Sequence, residues 1–587
     1  MNTKPWLKQY DKGVPHTLRP YTRCTLVDIV SNTVRQRPDH PAMFFKGAWI
    51  SYSELDKFSN ALATALVNIG IQKGDRVALL LPNSPQAIIG EFGIWKAGGI
   101  AVPMNPLYTE HELEFALNEC GAETAIVLTP YYPKVKSIQP RTRLKRIIAT
   151  NIKEYLPTIV RFVFTLLKEK KEGHRVALKA GDLWFRNLLS EYANLPKPQI
   201  PVKPEDPAVL LFTGGTTGSP KCAIGTHHAL LMAGKQLDSW FRVVLKEWKD
   251  CIMLNMPLFH VYGQVGTMAT GLVGHHPLVL IPNPRDLDDM VDTIKKVKPA
   301  LLPGVPTMFI ALSKHPQVQA DKTALASLKL CVSGAAPLLL ETKQRFETLT
   351  GGRIIEAYGL TESMIAAVCT PILGNYKRGA VGIPVPDVEL RIVDAETGES
   401  ELAASEIGEI LVRAPQLMVG YWQHPIETDH TIRDGWLYTG DLGYLDEDSY
   451  LFIVDRKKDL IKPSGFQVWP REVEEVIAAH PSVAEVGVAG VPDAYQGEAV
   501  KAWVVLQAGQ RVTADELRDY CREKLAAYKI PKHFEFRESL PKTTVGKILR
   551  RELTNEQTTS HAAQQLVAAD TPIHDAEEDR YTLGKMV

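Results

Sequence analysis

An α/β fold built on mostly parallel sheets is predicted for this chain by three observations. Short apolar runs alternate with helix-like segments through the N-terminal part of the sequence. A further apolar run, Ala208 to Phe212, empties into a loop dense in glycine and threonine. The 587 residues are too many for one domain and suggest three or four folding units.

The elements follow in order. Ile50-Ser51-Tyr52-Ser53-Glu54-Leu55 reads as a short strand and then a helix capped by Ser53. Val77 to Leu81 is a buried strand, Gln86 to Trp95 a helix, and Ala101-Val102-Pro103 opens the next strand. This alternation is the pattern of βαβ units around a parallel sheet. Ala208 to Phe212 and Leu328 to Val332 read as further strands. Residues 151–195 look like an insertion. Tyr155 to Leu167 is apolar with Arg161 in its middle, and Lys168-Glu169-Lys170-Lys171-Glu172 follows. It is too short to span a bilayer. Either it packs on the protein's own surface, or it lies on a membrane, apolar face down with lysines at the rim. Residues 554–587 hold few large apolar side chains and read as a weakly ordered tail.

Bulk composition excludes several classes. Lys+Arg and Asp+Glu are both 67, so no basic excess exists to hold a nucleic acid. Seven dispersed cysteines without a C-x-x-C pair fit a reducing compartment and argue against a disulfide framework or a zinc site. No apolar run approaches the roughly 18–20 residues of a membrane span, and the N-terminus shows no signal-peptide core. A cytoplasmic protein is expected, with peripheral membrane contact through 151–195 as the variant of that reading.

The chemistry concentrates in three segments. Thr213-Gly214-Gly215-Thr216-Thr217-Gly218-Ser219-Pro220-Lys221 follows a strand. Glycines let backbone N–H groups converge, and hydroxyls and an ammonium complete a phosphate cradle. It is not a Walker loop, because Lys221 follows Pro220 and precedes Cys222. Glu356-Ala357-Tyr358-Gly359-Leu360-Thr361-Glu362 and Gly435-Trp436-Leu437-Tyr438-Thr439-Gly440-Asp441-Leu442-Gly443 come downstream. Together the three resemble the core motifs of the adenylate-forming superfamily, which holds acyl-CoA synthetases, luciferases and peptide-synthetase adenylation domains. The resemblance runs from about Ile50 to Leu553, and the 151–195 insert is similar to those of bacterial long-chain fatty acid–CoA ligases.

That resemblance implies a large N-terminal adenylation domain, 1–456, with mostly parallel sheets, and a small α+β lid, 457–553, hinged at Lys458. It implies ATP, Mg²⁺ and coenzyme A as cofactors and a fatty acid as substrate; a homodimer is compatible with it. Thr213, Thr216, Thr217 and Lys221, with the backbone of Gly215 and Gly218, would hold phosphates. Glu362 and Thr217 would hold magnesium, and Thr361 the α-phosphate. Gly334-Ala335-Ala336-Pro337 would form the adenine slot, with Glu356, Ala357 and a stacking Tyr358 opposite, and Asp441 and Arg456 would take the ribose. Lys547 would neutralise the charge that develops during adenylation. Lys462 and Gly465 would serve the thiol half-reaction. His260 would gate the carboxylate, and Val261, Gln264, Met268, Gly304 and Val305 would line the acyl pocket.

The chain departs from the family pattern at Gly214, commonly serine, and at Cys222, commonly glycine; a small buried thiol is the expected role of Cys222. No acidic or basic residue is expected in the pocket to meet an amino acid's charges, and Tyr262-Gly263-Gln264 supplies no gating tryptophan. A medium- or long-chain fatty acid is therefore the expected substrate. An aryl-acid CoA ligase, an acyl-AMP ligase serving a carrier protein, and a binding protein without chemistry are the alternatives.

Overall fold

The computed structural model describes residues 4–213, 220–493, 495–543 and 548–554. The chain forms two compact units that divide between Lys457 and Lys458.

The first unit is built on two sheets. The seven-stranded one runs, edge to edge, Leu183–Trp184, Arg146–Thr150, Thr124–Leu128, Arg76–Leu80, Ile100–Pro103, Pro207–Phe212 and Cys222–Thr226. Every pair is parallel except the last. Its central strands are buried on both faces, which is why they read as continuous apolar runs. Helix Pro85–Lys96 is buried along its whole length, and the Trp95 indole N–H donates to the Ala208 carbonyl at 2.8 Å.

The fourteen-stranded sheet changes character in its middle. Strands Pro41–Phe45, Leu278–Leu280, Ile252–Leu254, Leu301–Gly304, Leu330–Ser333 and Arg353–Leu360 run parallel. From Arg353–Leu360 onward the order is Ile365–Cys369, Ala380–Pro384, Leu451–Arg456, Trp436–Leu445, Gly408–Arg413 and Glu389–Val393, all antiparallel. The βαβ reading covers only the first half. The second half lacks long crossover helices, and short connections join antiparallel strands. Arg353–Leu360 is thus the junction between the two regimes.

Three local expectations are corrected. The helix Tyr52–Asn68 is capped by Ser51, not Ser53: the Ser51 hydroxyl accepts from the Glu54 N–H while Glu54 accepts from the Ser51 N–H. The strand that Ala101-Val102-Pro103 was expected to open is Ile100–Pro103, and it ends at Pro103, where the donor is lost. The 151–195 segment is not wholly an excursion, because Leu183–Trp184 adds an edge strand beside Arg146–Thr150. Within it, helix Thr158–Leu167 buries only Phe164, whose ring meets His174 edge-on.

The second unit carries a three-stranded sheet. Val483–Asp493 pairs antiparallel with Gly497–Leu506, which pairs parallel with His533–Phe536. Helices Pro470–Ala478 and Ala514–Arg522 supply Val473, Ile477 and Leu517 to its core. The Arg550 guanidinium binds Glu474 at 2.7 Å and Asp459 at 3.0 Å.

Candidate functional site

The strand Pro207–Phe212 delivers Thr213, and the neck of the loop closes there. The Thr213 N–H donates to the Lys221 carbonyl at 2.8 Å, and the Lys221 N–H to the Thr213 hydroxyl at 3.4 Å. Gly215, Thr216, Thr217 and Gly218 lie outside the described residues. Lys221 Nζ stands 3.5 Å from a Glu427 carboxylate oxygen. Cys222 is fully buried, and burial pushes its thiol up, so it stays protonated and inert.

The remaining nucleotide candidates gather at the carboxyl ends of Leu330–Ser333 and Arg353–Leu360. In open α/β sheets, ligands bind outside the carboxyl ends of the strands. The Gly334 N–H donates to the Gly304 carbonyl at 3.1 Å. Ala335 adopts φ +68°, and Ala335, Ala336 and Pro337 are exposed. Glu356 is buried and accepts from the Leu338 N–H at 3.4 Å, which ties this turn to the strand. Ala357 follows it in the strand, half-buried.

Tyr358, Asp441 and Arg456 form one chain of contacts. The Tyr358 hydroxyl donates to Asp441 Oδ2 at 2.8 Å, and Asp441 Oδ1 lies 3.0 Å from Arg456 Nε. Asp441 and Arg456 sit opposite each other across an antiparallel pair. Burial, and then the Asp441 carboxylate, raise the Tyr358 hydroxyl well above its usual range, so it remains a donor. A buried carboxylate held from both sides is rigid and charge-compensated.

Thr361 and Glu362 follow the strand in a turn, and no helix starts there. The Met364 N–H donates to the Thr361 carbonyl at 3.1 Å, and the Tyr421 hydroxyl donates to Glu362 Oε1 at 2.8 Å. Tyr421 and Glu427 were not anticipated; neither belongs to a segment with a chemical signature of its own.

The acyl candidates cluster around an unusual helix. Tyr262–Ala269 is a π-helix, wholly buried, that contains Gln264 and Met268 and follows the buried Val261. Such windings are frequent at functional sites. His260 precedes it, and its Nδ1 accepts from the Tyr262 N–H at 3.2 Å. Burial lowers the His260 imidazole to about 4, so it is neutral at working pH. Tyr262 lies between two glycines: its hydroxyl donates to the Val332 carbonyl at 2.7 Å and accepts from the Gly304 N–H at 3.3 Å, and a Cβ on Gly334 would come within 3.3 Å of its ring. A tyrosine thus crosses this region. Val305 is buried and ends the turn before helix Pro306–Lys314.

An acidic residue, Glu91, meets Gln264 of the π-helix. It is fully buried on helix Pro85–Lys96, and its Oε2 accepts from Gln264 Nε2 at 2.7 Å. Burial raises its carboxyl from 4.5 to about 8, so it is protonated at pH 7. Between those values the folded state holds a proton that the unfolded state has released, so stability falls as pH rises through the window. Glu91→Gln keeps the acceptor and removes the titration. Its Tm is expected to exceed the parent's at pH 8 and to converge with it near 4.5; parallel Tm profiles across that range would contradict this reading.

The second-unit candidates stand apart in the chain. Lys458 opens that unit, within the turn Lys457–Asp459. The Lys462 N–H donates to Glu498 at 2.7 Å. Gly465 closes the turn Pro463–Gly465, in which Ser464 has φ +50°. Lys547 lies outside the described residues.

The family model for AMP-binding enzyme matches residues 30–422, and that for AMP-binding enzyme C-terminal domain matches 472–547. A long-chain-fatty-acid–CoA ligase of Bacillus subtilis (strain 168) is 42% identical over 95% of this chain and 99% of its own length. A protein of the same name from Escherichia coli O157:H7 is 37% identical over 94% and 98%. The ATP-bound crystal structure of MatB from Rhodopseudomonas palustris superposes with a TM-score of 0.78 at 29% identity, covering 90% of this chain and 98% of that one. Matches of this extent, to both family models and to relatives over nearly their whole length, show that the chain belongs to the AMP-binding enzyme family.

Proposed function

We infer that this protein activates a long-chain fatty acid with ATP to an acyl-adenylate, then transfers the acyl group to coenzyme A, releasing AMP. The observation that carries this reading is the 42% identity, over nearly the whole of both chains, to a long-chain-fatty-acid–CoA ligase.

In the first half-reaction a carboxylate oxygen bonds to the α-phosphorus and the bond to the β-phosphate breaks, releasing pyrophosphate. Thr213, Thr216, Thr217 and Lys221, with the N–H groups of Gly215 and Gly218, hold the phosphates, and Thr361 the α-phosphate. Asp441 and Arg456 take the ribose; Tyr358 and the Gly334–Pro337 turn enclose adenine. Among the described residues no group of three His, Cys, Asp or Glu could hold a metal ion. One carboxylate and one hydroxyl, from Glu362 and Thr217, suit magnesium, which is commonly bound through one or two carboxylates plus phosphates and water. Glu362, with the Thr217 hydroxyl, would hold it, and it would neutralise phosphate charge. Lys547 stabilises the charge that builds between the two anions. Neutral His260 steers the carboxylate by hydrogen bonding without adding charge. In the second half-reaction the thiol sulfur bonds to the acyl carbon and AMP leaves; Lys458 serves as the hinge of the lid 457–553, and Lys462 and Gly465 serve the thiol path.

Pyrophosphate and AMP release with ATP, Mg²⁺ and a panel of fatty and aryl acids, with and without coenzyme A, tests the reading. Acyl-CoA and AMP should form with palmitate-like acids. Turnover confined to aryl acids, or pyrophosphate release indifferent to coenzyme A, would replace it.

Peripheral membrane contact belongs to the same reading. No helix among the described residues is long and apolar enough to cross a membrane. Helix Thr158–Leu167 nevertheless exposes Ile159, Phe162, Leu166 and Leu167 at 80%, 65%, 66% and 69%. At 100° per residue these share one face, and Lys168, Lys170 and Lys171 follow it. Pro157, before the helix, would lie 3.3 Å from a Cβ on Gly47, whose hairpin exposes Trp49. Tryptophan and lysine at the rim of an apolar face suit an anionic lipid surface. Phe162→Asp/Leu166→Asp is expected to abolish co-sedimentation with anionic vesicles while turnover of a short soluble acid persists; unchanged sedimentation would sink the contact.

A further inference from the structure

Tyr421 joins two parts of the nucleotide site that the chain encodes far apart. Its segment runs alongside the strand that leaves the phosphate loop. The Ile224 N–H donates to the Gly420 carbonyl at 2.9 Å, the Val419 N–H to Ile224 at 3.0 Å, and the Trp422 N–H to Cys222 at 2.8 Å. Ala223 and Tyr421 form the bridge between them. This pairing brings the Tyr421 ring to within 5.5 Å of Lys221 Nζ, measured to the ring centroid, and its hydroxyl to 2.8 Å from Glu362 Oε1.

The bond has a definite polarity. The phenol donates and the Glu362 carboxylate, which has no proton to give, accepts. Glu362 is half-buried, and its backbone is held as well: the Met418 N–H donates to its carbonyl at 2.9 Å. A half-exposed glutamate samples several rotamers unless something selects one. Here the phenol engages Oε1, and no described residue bonds Oε2. A carboxylate fixed through one oxygen is prepared to give the other to a cation, which is the part that outer-shell partners play at metal sites.

We propose that Tyr421 is a positioning residue for the divalent cation that accompanies ATP, acting through Glu362. This rests on the nucleotide reading of the site, and its test is kept separable from that reading. Tyr421→Phe removes one oxygen from a ring that stays packed. ATP binding to the full chain, followed calorimetrically without fatty acid over a series of Mg²⁺ concentrations, is the first readout. The Mg²⁺ concentration for half-maximal binding is expected to rise about tenfold, within the range typical of outer-shell changes. ATP binding without Mg²⁺ and the KM for the fatty acid should stay as in the parent, and kcat should recover at saturating Mg²⁺. Superimposable Mg²⁺ titrations would overturn the proposal, as would a kcat loss that Mg²⁺ does not rescue. The same substitution in a Glu362→Gln background is the second test: if Tyr421 acts through Glu362 it adds nothing further, and an additive loss overturns it. A parent that binds ATP yet releases no pyrophosphate with any acid would defeat the proposed function and leave the Tyr421 measurement readable.

Discussion

Replacing Asp441 by alanine is expected to reduce kcat/KM for ATP by about thirtyfold or more while the protein stays folded. Asp441 is 5% exposed and touches both the Tyr358 hydroxyl and the Arg456 guanidinium. Removing it takes away the anion that orients both groups and the acceptors proposed for the ribose. Truncating one partner of a buried hydrogen-bonded charge pair costs about 2–5 kcal/mol, and each 1.36 kcal/mol is tenfold in rate. Asp441→Asn should lose less, because an amide oxygen can still accept from Tyr358. Pyrophosphate release at varied ATP, with thermal unfolding as the control for folding, checks both variants. An unchanged KM for ATP in Asp441→Ala would remove Asp441 from the nucleotide site.

Lys547→Ala is expected to slow acyl-adenylate formation about a hundred- to thousandfold, the roughly 3–4 kcal/mol that one electrostatic donor contributes where charge develops. The thioester step, started from supplied acyl-adenylate and coenzyme A, should keep most of its rate. That split separates a residue of the first half-reaction from one whose loss damages the protein generally. Equal losses in both half-reactions would contradict the role.

The route from sequence to site was uneven, and particular residues show why. The strand Pro207–Phe212 was legible, because a hydrophobic pattern acts over a few adjacent residues. The segment from Glu356 to Glu362 was legible as a unit, and it proved to be the junction strand and the turn after it. The cap of the first long helix was misplaced by two residues, since Ser51 and Ser53 both offer a hydroxyl and only the backbone geometry chooses. Glu91 carried no signal of its contact with Gln264. Its helix has no polar face to betray that both sides are covered, and its partner Gln264 lies 173 residues away.

By itself, then, the sequence determined the α/β class, the strand Pro207–Phe212 and, through the order of its motifs, the family. Each of these is written in neighbouring residues, where periodicity, glycine freedom and side-chain type operate. Only the tertiary structure decided that the large sheet turns antiparallel past Arg353–Leu360. It alone placed Asp441 between Tyr358 and Arg456, set Tyr262 between Gly304 and Gly334, and brought Tyr421 to Glu362 from 59 residues away. It also left the apolar face of Thr158–Leu167 uncovered. These are pairings and exposures between distant segments. Packing of whole elements, with buried polar groups seeking partners, selects them, and no local pattern carries that information.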